Sequence, residues 1–100
     1  MVEKGGCVYI LTNKSNRVLY TGVTSDLQAR LWQHKTKVFR NSFSARYNLD
    51  KLVYYRSFST IEEAIAMEKI IKGKSRAKKM AIVTEFNNAW KDLGPDVENW

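Results

Sequence analysis

The residues able to do chemistry in this chain fall into three groups: Tyr9 with Tyr20, Arg30 with His34, and Glu68 alone. Phenols donate and accept hydrogen bonds and, when helped, carry protons. A guanidinium fork suits paired oxyanion oxygens, and an imidazole exchanges protons near neutral pH. A carboxylate on an apolar face needs a cation, supplied by a basic side chain or by a metal ion. These five positions are distant along the chain, so their use depends on the elements that carry them.

The tyrosines lie in two β-type runs, Cys7 to Leu11 and Val18 to Val23, separated by Thr12 to Arg17. Hairpin geometry closes such runs with a loop of about four residues around Asn13 to Asn16. That register sets Tyr9 opposite Tyr20 and Cys7 opposite Gly22 on one face. Two phenols beside bare backbone would hold a ligand near the main chain; the ordinary alternative is an aromatic pair supporting a core. Ser25 then reads as an N-cap with Gln28 closing a capping box, and the helix runs to about Lys35. At about 100° per residue, Leu27, Arg30, Leu31 and His34 share a face. Leu27 and Leu31 must meet the sheet, so Arg30 and His34 point inward too, unless both snorkel to the rim.

Lys51 to Phe58 is rich in β-formers and is predicted to be a strand. Ser59 or Thr60 caps a helix from Ile61 to about Lys72, with Glu62 and Glu63 in its first turn. Its apolar stripe is Ile61, Ala64, Ile65 and Ile71, and Glu68 sits in the middle of it. That carboxylate either pairs with a buried base, for which Arg30 is the candidate, or binds a metal. Gly73 ends this helix, and Ser75 to Phe86 forms the last one, covering the sheet with Met80, Ile82, Val83 and Phe86. Residues 36–50 lack a clear period and read as a loop or short irregular helix, with Phe39, Phe43 and Tyr47 pinning it or stacking on bases. The expected order is β-β-α-β-α-α, a small antiparallel-containing sheet flanked by helices, in the α/β or α+β class.

One hundred residues make one domain, expected over 1–93, followed by a short mobile tail from Gly94-Pro95 to residue 100. Hydrophobic residues make up 44% of the chain, ordinary for a globular protein, and no apolar run approaches the roughly 18 residues of a membrane helix. Met1-Val2-Glu3-Lys4 carries no apolar signal region, so a cytosolic location without membrane contact is expected. One cysteine excludes an internal disulfide, and no Cys/His cluster suggests zinc. The net charge of +7 is unevenly placed. Lys69, Lys72, Lys74, Arg76, Lys78 and Lys79 form a run without an acid, and Arg30, Lys35, Lys37, Arg40 and Arg46 form a second. Such runs are either solvated surface or the salt-dependent footprint of a phosphate backbone. No residue pattern reads base edges, so no sequence specificity is expected.

The ordered set Cys7-Val8-Tyr9, Tyr20-Thr21-Gly22, Arg30, His34 and Glu68 resembles the GIY-YIG nuclease domain, closest to its small single-domain bacterial members. The likeness covers about Gly5 to Leu93, including the basic stretch Lys69 to Lys79 and the ending Asn88 to Leu93. Cys7-Val8 replaces Gly-Ile, Thr21 replaces isoleucine, and Lys74 stands where an aromatic is common. The resemblance implies a three-stranded antiparallel sheet and a metal-dependent endonuclease. DNA is the expected substrate over RNA, in a role such as DNA repair. It further implies Tyr9 as the base for water, Tyr20 orienting water or phosphate, and His34 relaying protons. Arg30 clamps phosphate, Glu68 holds one Mg²⁺ or Mn²⁺, and Gly22 lets backbone approach the substrate, with Lys69 to Lys79 supplying binding charge. Other classes fit the same chain: a non-catalytic or weakly catalytic nucleic-acid-binding module on this fold, or a scaffold whose basic face meets an acidic protein. A protein partner for targeting is compatible with all of these, and the oligomeric state is open.

Overall fold

The computed structural model describes residues 5–36 and 42–100. Among these described residues eight elements follow one another: β1 (Gly6–Thr12), β2 (Leu19–Thr24), α1 (Leu27–Thr36), α2 (Phe43–Arg46), β3 (Lys51–Phe58), α3 (Ile61–Lys72), α4 (Arg76–Phe86) and α5 (Gly94–Glu98). The three strands form one antiparallel sheet in the order β2-β1-β3. This is the expected α+β arrangement, with two short helices, α2 and α5, added to it.

The central strand β1 is buried along its whole length, so each of its faces must be covered. Odd positions Cys7, Tyr9 and Leu11 pack with Leu27 and Leu31 of α1, Leu49, Leu52 and Val97 of α5. Even positions Val8 and Ile10 pack on the other side with Val53, Tyr54, Ala64 and Ile71 of α3 and Val83 of α4. Each fully buried Ile, Leu or Val contributes about 1.5–3 kcal/mol by leaving water. The helices therefore sort by sheet face: α1 and α5 on one, α3 and α4 on the other.

The hairpin register differs from expectation. Tyr9 pairs with Gly22, Leu11 with Tyr20 and Cys7 with Thr24, a slip of two residues. The cause lies in the turn. Asn13 Oδ1 accepts from the backbone N–H of Arg17 at 2.9 Å and Val18 at 3.4 Å, and Asn16 takes a left-handed φ of 59°. This Asn-built turn consumes residues 13–18, where a short loop would have used four. Because side chains alternate with period two, the slip leaves Tyr9 and Tyr20 on the same face, now diagonal.

Helix α1 is capped by Asp26, not Ser25. Asp26 Oδ1 accepts from Ala29 N–H at 3.1 Å, and Thr24 Oγ1 accepts from Asp26 N–H at 3.0 Å. Gln28, freed from capping, spans to α5, its Nε2 donating to the Val97 carbonyl at 3.0 Å. Helix α3 is capped by Thr60, whose hydroxyl accepts from Glu63 N–H at 3.2 Å. On α3 the stripe runs through Ile61, Ala64, Met67 and Ile71. Ile65 is 36% exposed and Glu68 sits at the stripe's border instead of its middle. On α4, Val83 and Ile82 cover the sheet, whereas Met80 and Phe86 stay largely exposed, the Phe86 ring meeting Tyr54 edge-on at 5.2 Å.

A bulge in β3 pairs Ile10 with Tyr54 but Leu11 with Leu52, leaving Val53 extra. Both Val53 and Tyr54 then point to the α3 side. The chain after α4 seals this edge: Leu93 N–H donates to the Leu52 carbonyl at 2.7 Å, and Asp92 Oδ1 accepts from Leu52 N–H at 3.1 Å. The expected mobile tail is corrected by the same region. Residues 94–98 form α5, Val97 is fully buried, and Lys35 pairs with Glu98 at 2.8 Å. Apolar Val97 and the carbonyls that Gln28 engages hold it in place. Of the aromatics expected to pin residues 36–50, Phe39 and the Phe43 side chain lie outside the described residues, as do Lys37 and Arg40. Tyr47 is 47% exposed.

Candidate active site

Three rings meet over Gly22. Tyr9 and Tyr20 have centroids 6.3 Å apart, and His34 stands edge-on to both at 5.8 Å. The Tyr9 hydroxyl lies 3.1 Å from His34 Nε2. Strands β1 and β2 supply the phenols, and the inward face of α1 supplies the imidazole because Leu27 and Leu31 fix that face against the sheet. A Cβ at position 22 would stand 2.5 Å from Tyr9 Cζ and from its hydroxyl oxygen. Glycine is required there to admit the Tyr9 phenol. The space over Gly22 is filled by that ring, so the close backbone approach expected for a substrate phosphate does not occur at this point.

Electrostatics tie the two remaining residues to the same phenol. Burial pushes the Tyr9 phenol well above its ordinary value, and the neighbouring Tyr20 adds to this. The Arg30 guanidinium acts in the opposite direction, and the Glu68 carboxylate raises it slightly further. His34 is pushed below its ordinary value, first by burial and then by Arg30. The imidazole is therefore neutral at pH 7 and able to accept a proton at one nitrogen. Tyr9 thus meets Tyr20 and His34 directly and feels the charges of Arg30 and Glu68.

Glu68 arrives from the far side of the sheet, since α3 covers the face opposite α1. Its charge partner is Lys72, with Nζ 3.0 Å from Glu68 Oε2, and not Arg30 as one of the two expected readings had it. Four residues apart on one helix is the spacing that makes such pairs, so the sequence carried the signal. Among the described residues no three His, Cys, Asp or Glu side chains gather as a metal cluster. The donor chemistry here is one carboxylate, 15% exposed and already facing a cation. That fits a hard divalent ion that keeps most of its waters, and it does not fit a cage of protein ligands.

The two basic runs have different fates. In the first, Lys69, Arg76 and Lys78 are exposed, Lys74 and Lys79 are half-buried, and Lys72 faces Glu68. The Arg76 guanidinium donates to the Arg17 carbonyl, joining the start of α4 to the hairpin turn. Arg17, outside both runs in the sequence, is itself exposed at that turn. The second run breaks up: the Arg30 charge acts on Tyr9 and His34, and Lys35 is held by Glu98 on α5.

The GIY-YIG catalytic domain profile matches residues 5–81. A UPF0213 protein of Streptococcus agalactiae serotype V is 32% identical, over 88% of this chain and 98% of its own. A UPF0213 protein of Streptococcus pyogenes serotype M5 is 34% identical, over 92% and 99% respectively. The solution NMR structure of a UPF0213 protein from Bacillus halodurans superposes with a TM-score of 0.54 at 29% identity, covering 88% of this chain and 92% of that one.

Proposed function

The chain belongs to the GIY-YIG catalytic domain family, a nuclease-type fold, and from that premise we propose that it is a metal-dependent endonuclease hydrolysing phosphodiester bonds, in DNA before RNA. The observation that carries this reading is the convergence on one buried phenol: His34 Nε2 at 3.1 Å from the Tyr9 hydroxyl, with the charges of Arg30 and Glu68 acting on the same group.

In this mechanism the attacking water gives a proton to the Tyr9 oxygen as the Tyr9 hydroxyl passes its own to His34 Nε2. The transfer avoids a free phenolate, which burial disfavours. Tyr20, beside both rings, orients the water. Arg30 takes a non-bridging phosphate oxygen, neutralising charge that grows in the transition state. Glu68 is the residue that would hold a divalent ion, which supplies positive charge for the phosphate and the leaving oxygen. Arg30 and His34 come from α1 and Glu68 from α3, on opposite faces, so the substrate crosses the edge strand β2. The basic surface of Arg17, Lys69, Lys74, Arg76, Lys78 and Lys79 attracts the flanking backbone without reading sequence. The reaction takes place in the cytosol.

The test is cleavage of labelled duplex, branched and single-stranded DNA and RNA by wild type, Glu68→Ala and Tyr9→Phe, with Mg²⁺ and with EDTA. Glu68→Ala is expected to abolish metal-dependent cleavage while retaining its circular dichroism and nucleic-acid affinity. Tyr9→Phe should lose about a hundredfold or more in rate. Cleavage that survives both substitutions would remove this reading, as would wild type that binds every substrate and cuts none.

A further inference from the structure

The carboxylate assigned to the metal already has a cation on it. Lys72 Nζ lies 3.0 Å from Glu68 Oε2, and the two partners are unequally placed: the Lys72 side chain is 54% exposed, that of Glu68 only 15%. A surface pair at this helical spacing is worth little when both groups are solvated. Here the need is one-sided. Glu68, mostly withdrawn from water, is left uncompensated without a counter-charge, whereas Lys72 regains full hydration by swinging its flexible four-carbon stem outward. A lysine ammonium and a divalent ion drawn to one carboxylate repel each other across a few ångströms, so the ion's arrival weakens the carboxylate's hold on Lys72.

Resting on the assignment of Glu68 above, we propose that Lys72 is the resident counter-ion of the site, yielding Glu68 to the divalent ion and then binding a phosphate of the nucleic acid. Lys72 is suited to the second task by position. It sits at the end of α3 in the run with Lys69, Lys74 and Arg76, and the Arg76–Arg17 contact continues that surface to the hairpin turn. The ammonium that neutralises Glu68 in the unloaded protein thereby adds to the basic surface only when the metal has arrived. Metal and nucleic acid then bind with positive coupling, each improving the other's affinity by the same factor.

The experiment measures metal binding and lysine exposure without reading cleavage. Mn²⁺ is titrated into wild type, Lys72→Met and Glu68→Gln in the absence of nucleic acid, with free Mn²⁺ read by electron paramagnetic resonance. Lys72→Met should bind Mn²⁺ about three- to fivefold more tightly than wild type, the scale of a partly exposed ion pair, and Glu68→Gln should bind it most weakly. In parallel, Lys72 acylation by a brief amine-reactive pulse is quantified by mass spectrometry. Acylation should rise when Ca²⁺ is added to wild type and fall when a DNA hairpin oligonucleotide follows. In Glu68→Gln it should be high from the start and indifferent to Ca²⁺. Equal Mn²⁺ affinity for wild type and Lys72→Met, beside a weakened Glu68→Gln, overturns the exchange and leaves Glu68 as the metal ligand. Lys72 acylation unmoved by Ca²⁺ overturns it likewise. Unchanged Mn²⁺ binding in Glu68→Gln overturns the assignment of Glu68 itself, and the exchange falls with it.

Discussion

At the scale of single residues, the site depends on two opposite displacements. Burial and Tyr20 hold the Tyr9 phenol protonated far above neutral pH, and burial with Arg30 holds His34 neutral below its ordinary 6.5. The acceptor is thus ready across the neutral range, and its loss comes only when pH falls through the lowered histidine value. The expected kcat/KM profile rises from acid with unit slope and levels off before pH 6.5, with no fall at mildly alkaline pH. His34→Ala should lower the rate about a hundredfold and flatten that acid limb. A limb that levels off above pH 7 would mean that His34 is not the acceptor. Gly22 makes a second prediction of this scale. A methyl group at position 22 meets the Tyr9 ring at 2.5 Å, so Gly22→Ala must push the phenol away from His34. It should cost about 1–3 kcal/mol of stability by overpacking, read from the denaturant midpoint, and should reduce cleavage more than its stability loss explains.

At the scale of elements, the chain after α4 acts as a fourth lane at the β3 edge. Asp92 Oδ1 accepts from both Leu52 N–H at 3.1 Å and Gly94 N–H at 2.9 Å. Asp92→Ala leaves those donors without their partner and should cost about 1–3 kcal/mol, measured as a shift in urea midpoint at constant slope. An unchanged midpoint would mean that the edge is not sealed by this segment. Strand β3 and helix α3 were legible in the sequence to their end residues because β-branched and aromatic density stops where Ser59 and Thr60 begin. Arg30 and His34 were legible because Leu27 and Leu31 fix the face of α1. The register of the hairpin was not, since it turns on an asparagine side chain reaching four and five residues ahead. Helix α5 was missed for a different reason: Gly-Pro reads as a breaker, yet proline in the first turn is where a helix accepts it. Its anchor, Val97, is one apolar residue whose partners, such as Leu27 and Leu31, lie far back in the chain.

At the scale of the whole molecule, the net charge of +7 matters through its placement. Charges already matched by an acid add little to the attraction for a polyanion. Lys35 is matched by Glu98 at 2.8 Å, whereas Lys78, exposed on α4, and Lys79 beside it stand in a run without acids. For duplex DNA, each phosphate that a cation no longer neutralises changes the slope of log affinity against log salt by about 0.9. Reversing both Lys78 and Lys79 to Glu should therefore weaken binding and flatten that slope by up to about two units. Lys35→Ala should leave the slope close to wild type, although both changes lower net charge. This contrast separates a localised phosphate track from a general cationic cloud, because the cloud responds to total charge and the track to position. Equal slopes for all three proteins would place Lys78 and Lys79 on an idle surface. An equal effect per charge removed would show that the molecule attracts nucleic acid as a whole body, without a preferred path across the β2 edge.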